Sequence, residues 1–166
     1  MKSTEKEKRA VIIPGSYDPV TLGHLDIIRR ASERFEEVYA VIFQNPDKKY
    51  TFSLDERVKM LLIATDSLDN VIVSSSSGLV IDYMREHNVS LIVKGVRNDA
   101  DREYELRQAD WNLRHGGYET ELWQASEELS SVSSTRAREA LLRGEGASEL
   151  LPDEVAEFIN KLRQND

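Results

Sequence analysis

Val11-Ile12-Ile13-Pro14-Gly15-Ser16-Tyr17-Asp18-Pro19-Val20-Thr21-Leu22-Gly23-His24 is the stretch on which the fold turns. The β-branched run Val11 to Ile13 has no polar face, as expected of a strand covered on both sides. Gly15 sits where the backbone must turn sharply out of that strand. Thr21 is a capping residue type placed just before Leu22, Leu25, Ile28 and Ala31, which recur at helical spacing. Strand, turn and capped helix in this order open a strand–helix–strand unit.

The same alternation continues along the chain. Val38 to Phe43, Val71 to Val73 and Leu91 to Val93 read as further strands, and Glu121 to Gln124 as a weaker one. Ser53-Leu54-Asp55-Glu56 is a capping box that opens a helix through about Ser67. Leu79 to His87, Ala100 to Arg114, Ser134 to Arg143 and Pro152 to Arg163 read as helices, the last with Pro152 at the first helical position. Strands alternating with helices predict an α/β fold, a parallel sheet wrapped by helices. No internal repeat breaks the chain, and Gly144 to Gly146 reads as a loop before a terminal helix. Residues 1–166 are therefore expected to form a single domain, with 1–8 a flexible N-terminal extension.

Composition narrows the functions available. The chain has 166 residues, 40% hydrophobic and 31% charged, an ordinary globular balance. Its net charge is −8, from 22 basic and 30 acidic side chains, opposite to the balance of a non-specific nucleic-acid binder. An anionic ligand must then be held by a local cluster and not by the overall field. There is no cysteine, which excludes disulfides, thiolate catalysis and cysteine metal sites. No apolar run is long enough to span a bilayer, and the charged start of the chain lacks a signal-peptide core, so a cytoplasmic location is expected.

In open parallel sheets, ligands bind beyond the carboxyl ends of the strands. Here those segments are Pro14 to Ser16, Gln44 to Lys49, Ser74 to Gly78, Lys94 to Arg97 and Ser126 to Thr135, where Gly, Lys, Arg and Ser concentrate. His24, in the first turn of a helix, lies beside unpaired amides and the positive end of the helix dipole, which attract phosphate. Lys48 can pair with a phosphate if its loop joins that rim. Lys94-Gly95-Val96-Arg97 offers two cations around a glycine, a plausible phosphate clamp. Ser130-Ser131-Val132-Ser133-Ser134-Thr135 enters a helix, with Ser134 or Thr135 as the expected cap. No His or Asp cluster has metal-ligand spacing, and no nucleophile–base–orienter triad is present. His87 and His115 read as surface residues.

Taken together, Pro14 to His24 and Val132-Ser133-Ser134-Thr135-Arg136-Ala137-Arg138 resemble the nucleotidyltransferase superfamily that carries a (T/H)xGH motif and an ISSTxxR-like motif. Within it, the pattern is most similar to the bacterial phosphopantetheine adenylyltransferase family. The resemblance runs from about Arg9 to the end and includes Asn45 to Lys49, Phe52 to Arg57, Lys94 to Arg97 and Glu103 to Glu105. It implies a Rossmann-like sheet of five parallel strands with helices on both faces and a C-terminal helix, a homohexamer, and ATP as donor with Mg2+ bound mainly through its phosphates. It also implies adenylyl transfer to 4′-phosphopantetheine in coenzyme A synthesis. The implied nucleotide contacts are Ser16, Tyr17, His24, Gly95, Val96, Arg97 and Glu105, with Leu129, Ser130, Ser131, Val132, Ser133, Ser134 and Thr135 closing over the phosphates. His24 is the implied catalytic group, and Ser16, Lys48, Val80 and Lys94 the implied acceptor contacts.

The chain departs from the family in places. Lys94 stands where Arg is usual, Tyr17 where Phe is usual and Val132 where Ile is usual. The segment Leu106 to Leu113 is more polar and bulkier than the family's, although Asn112 fits. Another phosphate acceptor, such as nicotinamide mononucleotide, or an inactive nucleotide-binding regulator are the alternatives these departures leave.

Overall fold

The computed structural model describes residues 5–165. In chain order the elements are β1 (Glu7–Gly15), α1 (Leu22–Arg34), β2 (Phe35–Phe43), α2 (Leu54–Ala64), β3 (Val71–Ser76), α3 (Val80–His87), β4 (Leu91–Val96), α4 (Asp99–Gly116), β5 (Glu119–Gln124), α5 (Ser134–Leu142) and α6 (Asp153–Gln164). The five strands pair in parallel in the order β3-β2-β1-β4-β5. This is the expected α/β, Rossmann-like sheet, with the C-terminal helix α6 packed against α2.

The continuous apolar run of β1 is explained by its central place. Val11 and Ile13 point into one core, with Ile28, Phe35, Met60, Leu61, Val155 and Ile159. Ile12 points into the other, with Val41, Tyr83, Met84, Val89 and Ile92. Each large aliphatic side chain removed from water here contributes roughly 2 kcal/mol. The sheet is thereby fixed between two apolar layers, and its carboxyl edge is held as a rigid rim.

The strands extend beyond their apolar runs, because the flanking polar residues still pair through the backbone. β1 begins at Glu7, inside the segment 1–8 expected to be an extension, and Glu7 pairs with Phe35. Residues 1–4 lie outside the described residues. Pro152 is the cap residue before α6 and not its first helical residue, with φ −55° and ψ 143°. A short 3-10 turn at Glu127–Leu129 follows β5 and carries no apolar periodicity that would have marked it.

Candidate active site

The chain crosses from one side of the sheet to the other between β3 and β4, so the strand order reverses between β1 and β4. That reversal opens a crevice at the carboxyl ends of these two strands. Two adjoining cavities occupy it. The first, of about 370 Å³, is lined by the end of β1, the start of α1, the end of β4 and the segment before α5. The second, of about 340 Å³, lies toward α3 and α4. Pro14, Gly15, Ser16, Lys94, Tyr104 and Glu105 line both, so the two cavities meet across a shared wall.

His24 faces the first cavity. Thr21 and His24 cap α1 reciprocally. The Thr21 hydroxyl accepts from the His24 amide at 3.3 Å, and the Thr21 amide donates to His24 Nδ1 at 3.0 Å. A backbone amide only donates, so Nδ1 is the acceptor nitrogen and the neutral ring carries its proton on Nε2. Burial pushes the His24 pKa down to about 4, and the charges of Lys94 and Arg97 push the same way. The imidazole is therefore neutral near pH 7, a fixed N–H donor in the first turn of α1, whose Leu22 and His24 amides already donate to the Leu150 carbonyl and the Thr21 hydroxyl.

Tyr17 braces this ring from behind. Its φ is 48°, in the left-handed region that side chains seldom adopt, and its ring lies 4.8 Å from that of His24. The Tyr17 hydroxyl donates to the Ile13 carbonyl at 2.7 Å. With the side chain buried, any nucleotide contact falls to its backbone and ring edge.

The two cations expected to clamp phosphate are already paired. Lys94 Nζ donates to the Pro14 carbonyl at 3.1 Å and lies 3.5 Å from a Glu105 carboxylate oxygen. Arg97 turns its fork onto Asp101, with Nε donating at 2.9 Å and Nη2 at 3.3 Å. Gly95 between them is required by packing. A Cβ there would lie 2.9 Å from Ile27 Cγ1, so β4 could not approach α1 as it does. Val96 is fully buried, and its side chain belongs to the core and not to the cavity wall.

The hydroxyl-rich segment closes one side of the first cavity with Leu129, Val132, Ser133, Ser134 and Thr135. Ser133, and not Ser134 or Thr135, caps α5, accepting from the Arg136 amide at 3.1 Å. The reason is that the Ser134 hydroxyl is turned back to donate to the Pro19 carbonyl at 2.8 Å, which ties this segment to the β1–α1 loop. Arg138 reinforces that tie by donating to the Asp18 carbonyl at 2.8 Å. Ser130 and Ser131 lie outside both cavity walls, as does Lys48, which is exposed on the loop between β2 and α2.

The second cavity holds Val80, as expected, together with Phe43, Ile92, Gln108, Asn112 and Thr120. Thr120 Oγ1 is buried there and meets no hydrogen-bonding partner among the described residues. Sequence reasoning missed Thr120, which carries no local signal, and Asp101, whose i,i+4 spacing from Arg97 was legible. Among the described residues no group of three or more His, Asp and Glu is placed to hold a metal.

A neutral donor at a helix start, hydroxyls at a second helix start and a facing cavity across Ser16 define a nucleotidyltransferase of the cytidylyltransferase-like class, and that family matches residues 12–140. The phosphopantetheine adenylyltransferase of Clostridium novyi (strain NT) is 41% identical over 156 residues, covering 93% of this chain and 97% of that protein. The chain belongs to the phosphopantetheine adenylyltransferase family and is a nucleotidyltransferase.

Proposed function

We propose that the protein transfers the adenylyl group of ATP to the phosphate of 4′-phosphopantetheine, giving dephospho-coenzyme A and pyrophosphate. The observation that carries this is the pair of cavities meeting at Ser16, Lys94 and Glu105. ATP occupies the first, with its triphosphate between the α1 start and Ser133 to Thr135. The acceptor arm occupies the second, where Thr120, Gln108 and Asn112 offer polar groups to a ligand of alternating amides and methylenes.

An oxygen of the acceptor phosphate attacks the α-phosphorus of ATP. A new phosphorus–oxygen bond forms while the bond to the bridging oxygen breaks, and pyrophosphate leaves. The nucleophile is already anionic, so neither a base nor a covalent intermediate is needed. The chain's contribution is positioning and a preset dipole. His24 Nε2–H donates to an α-phosphate oxygen, more strongly as charge builds on it. Because the ring is neutral, it gives a hydrogen bond and keeps its proton throughout. Lys94 shares its ammonium between Glu105 and the incoming phosphate.

Magnesium is proposed as the counter-ion of ATP, held by triphosphate oxygens and water, in keeping with its reluctance to dehydrate. Ser16 and Thr135 line the first cavity and would offer hydroxyls to the water shell of such an ion. It neutralises part of the triphosphate charge.

A homohexamer is proposed from α4, an 18-residue helix with no buried residue. It leaves Leu106 and Leu113, seven residues apart on one face of the helix, 53% and 49% exposed, apolar surface that a second copy would cover. No helix of the described residues is long and apolar enough to cross a membrane, and a cytoplasmic location is proposed with it.

The test is pyrophosphate release with ATP and each of 4′-phosphopantetheine, nicotinamide mononucleotide and glycerol phosphate. Release with the first alone supports the assignment, and comparable release with either other acceptor overturns it.

A further inference from the structure

Arg57 is 1% exposed, yet its guanidinium meets no carboxylate among the described residues. Its partners are the Phe52 carbonyl at 3.2 Å, the Ser16 carbonyl at 3.1 Å and the side-chain oxygen of Gln44. Its Cζ lies 3.9 Å from the ring centre of Tyr50. A buried charge without a counter-ion is costly unless several groups solvate it. Here the groups that do so come from the two loops that flank the shared wall.

Tyr50 touches a second cation. Lys48 Nζ lies 5.5 Å from the same ring centre, within cation–π range. The Tyr50 hydroxyl accepts from the Asn45 amide at 2.9 Å, and the Lys48 amide donates to the Asn45 carbonyl at 3.0 Å, closing a tight turn. Asp18 pins the far end of the loop by accepting from the Thr51 and Phe52 amides at 2.9 Å each. Lys48, like Lys49 beside it, is thus an exposed cation of a loop anchored at both ends, and the Lys48 side chain has the Tyr50 ring to rest on.

We propose that Tyr50, clamped by Arg57, is the positioning residue for Lys48, holding its ammonium over the ring and so presenting it to the acceptor phosphate. This rests on Lys48 reaching that phosphate from a loop outside both cavity walls, as the family resemblance implies. Tyr50 touches no substrate. It acts by reducing the conformations open to a flexible four-carbon side chain, and Arg57 fixes the plane of the ring while tying it to Ser16.

Steady-state kinetics with ATP and 4′-phosphopantetheine test this in the full chain. Tyr50→Leu should raise the acceptor KM about three- to five-fold, the scale of a partly exposed cation–π contact, with the ATP KM and kcat within two-fold. Tyr50→Phe, which keeps the ring, should restore the acceptor KM. Lys48→Ala should raise it further, and Tyr50→Leu should add nothing in the Lys48→Ala background. The proposal is overturned if Tyr50→Leu leaves the acceptor KM unchanged while Lys48→Ala raises it. It is equally overturned if Tyr50→Leu raises both KM values alike or if the two substitutions add in full. If Lys48→Ala itself leaves the acceptor KM unchanged, the reading of Lys48 fails first and the role of Tyr50 falls with it.

Discussion

Lowering the pH should find His24 uncharged long after an ordinary histidine has taken its proton. The ring's pKa stands at about 4 against 6.5 in the unfolded chain, because desolvation in the cavity wall and the charges of Lys94 and Arg97 disfavour its charged form. Between those values the unfolded chain binds the extra proton and the folded chain does not, so acid draws the equilibrium toward unfolding. The stability that the neutral ring contributes is whole above about pH 6.5. It falls away as pH drops to about 4, by roughly 3 kcal/mol in all. The assay is an NMR titration of the ring protons, with His24→Gln assigning the resonance among three histidines. Denaturant melts of both proteins at pH 7, 5.5 and 4.5 accompany it. His24 should titrate near pH 4, and His24→Gln should flatten the acid limb of stability. A midpoint near 6.5, or an unchanged acid limb, would refute a ring held neutral by burial and two cations.

Other substitutions separate binding from chemistry. His24→Ala should lower turnover by roughly 10²–10³, the scale of losing one preset donor, with far less effect on ATP affinity measured by calorimetry. Thr120→Val removes a buried hydroxyl that has no partner among the described residues, so the melting temperature should hold or rise. The acceptor KM should rise about five-fold if that hydroxyl serves the arm. Gly95→Ala should cost about 1–3 kcal/mol in a denaturant melt, because its Cβ would press into Ile27 at 2.9 Å. Leu113→Glu should shift sedimentation from the proposed hexamer to smaller species without unfolding the chain.

The fold was legible because its signals are local. Val11 and Ile13 share one face and Ile12 the other, so an uninterrupted run of β-branched residues already says that both faces are covered. Thr21 and Ser53 announce helix starts through contacts three residues away. The rim was legible for the same reason, since the strand ends can be read one by one. What stayed hidden depends on pairs distant in sequence. Thr120 gives no sign that its hydroxyl ends in a cavity wall, and the Ser134 hydroxyl reads as a cap until Pro19 is seen beside it. Arg57 carries no local sign of burial, and its guanidinium is closed over by Ser16 and Gln44, distant in sequence. Arg97 is the instructive middle case. Its place on the rim was clear, but its pairing with Asp101, four residues on, was overlooked in favour of a free phosphate clamp.

The central claim is that the group moved from ATP is the adenylyl group and that it goes to 4′-phosphopantetheine. ATP labelled at the α-phosphorus, and separately at the γ-phosphorus, follows the transfer directly. With 4′-phosphopantetheine present, the α-label should appear in dephospho-coenzyme A and the γ-label only in pyrophosphate, in equal amounts. Appearance of the γ-label in the acceptor product, or loss of ATP with no α-label joined to the acceptor, would contradict it.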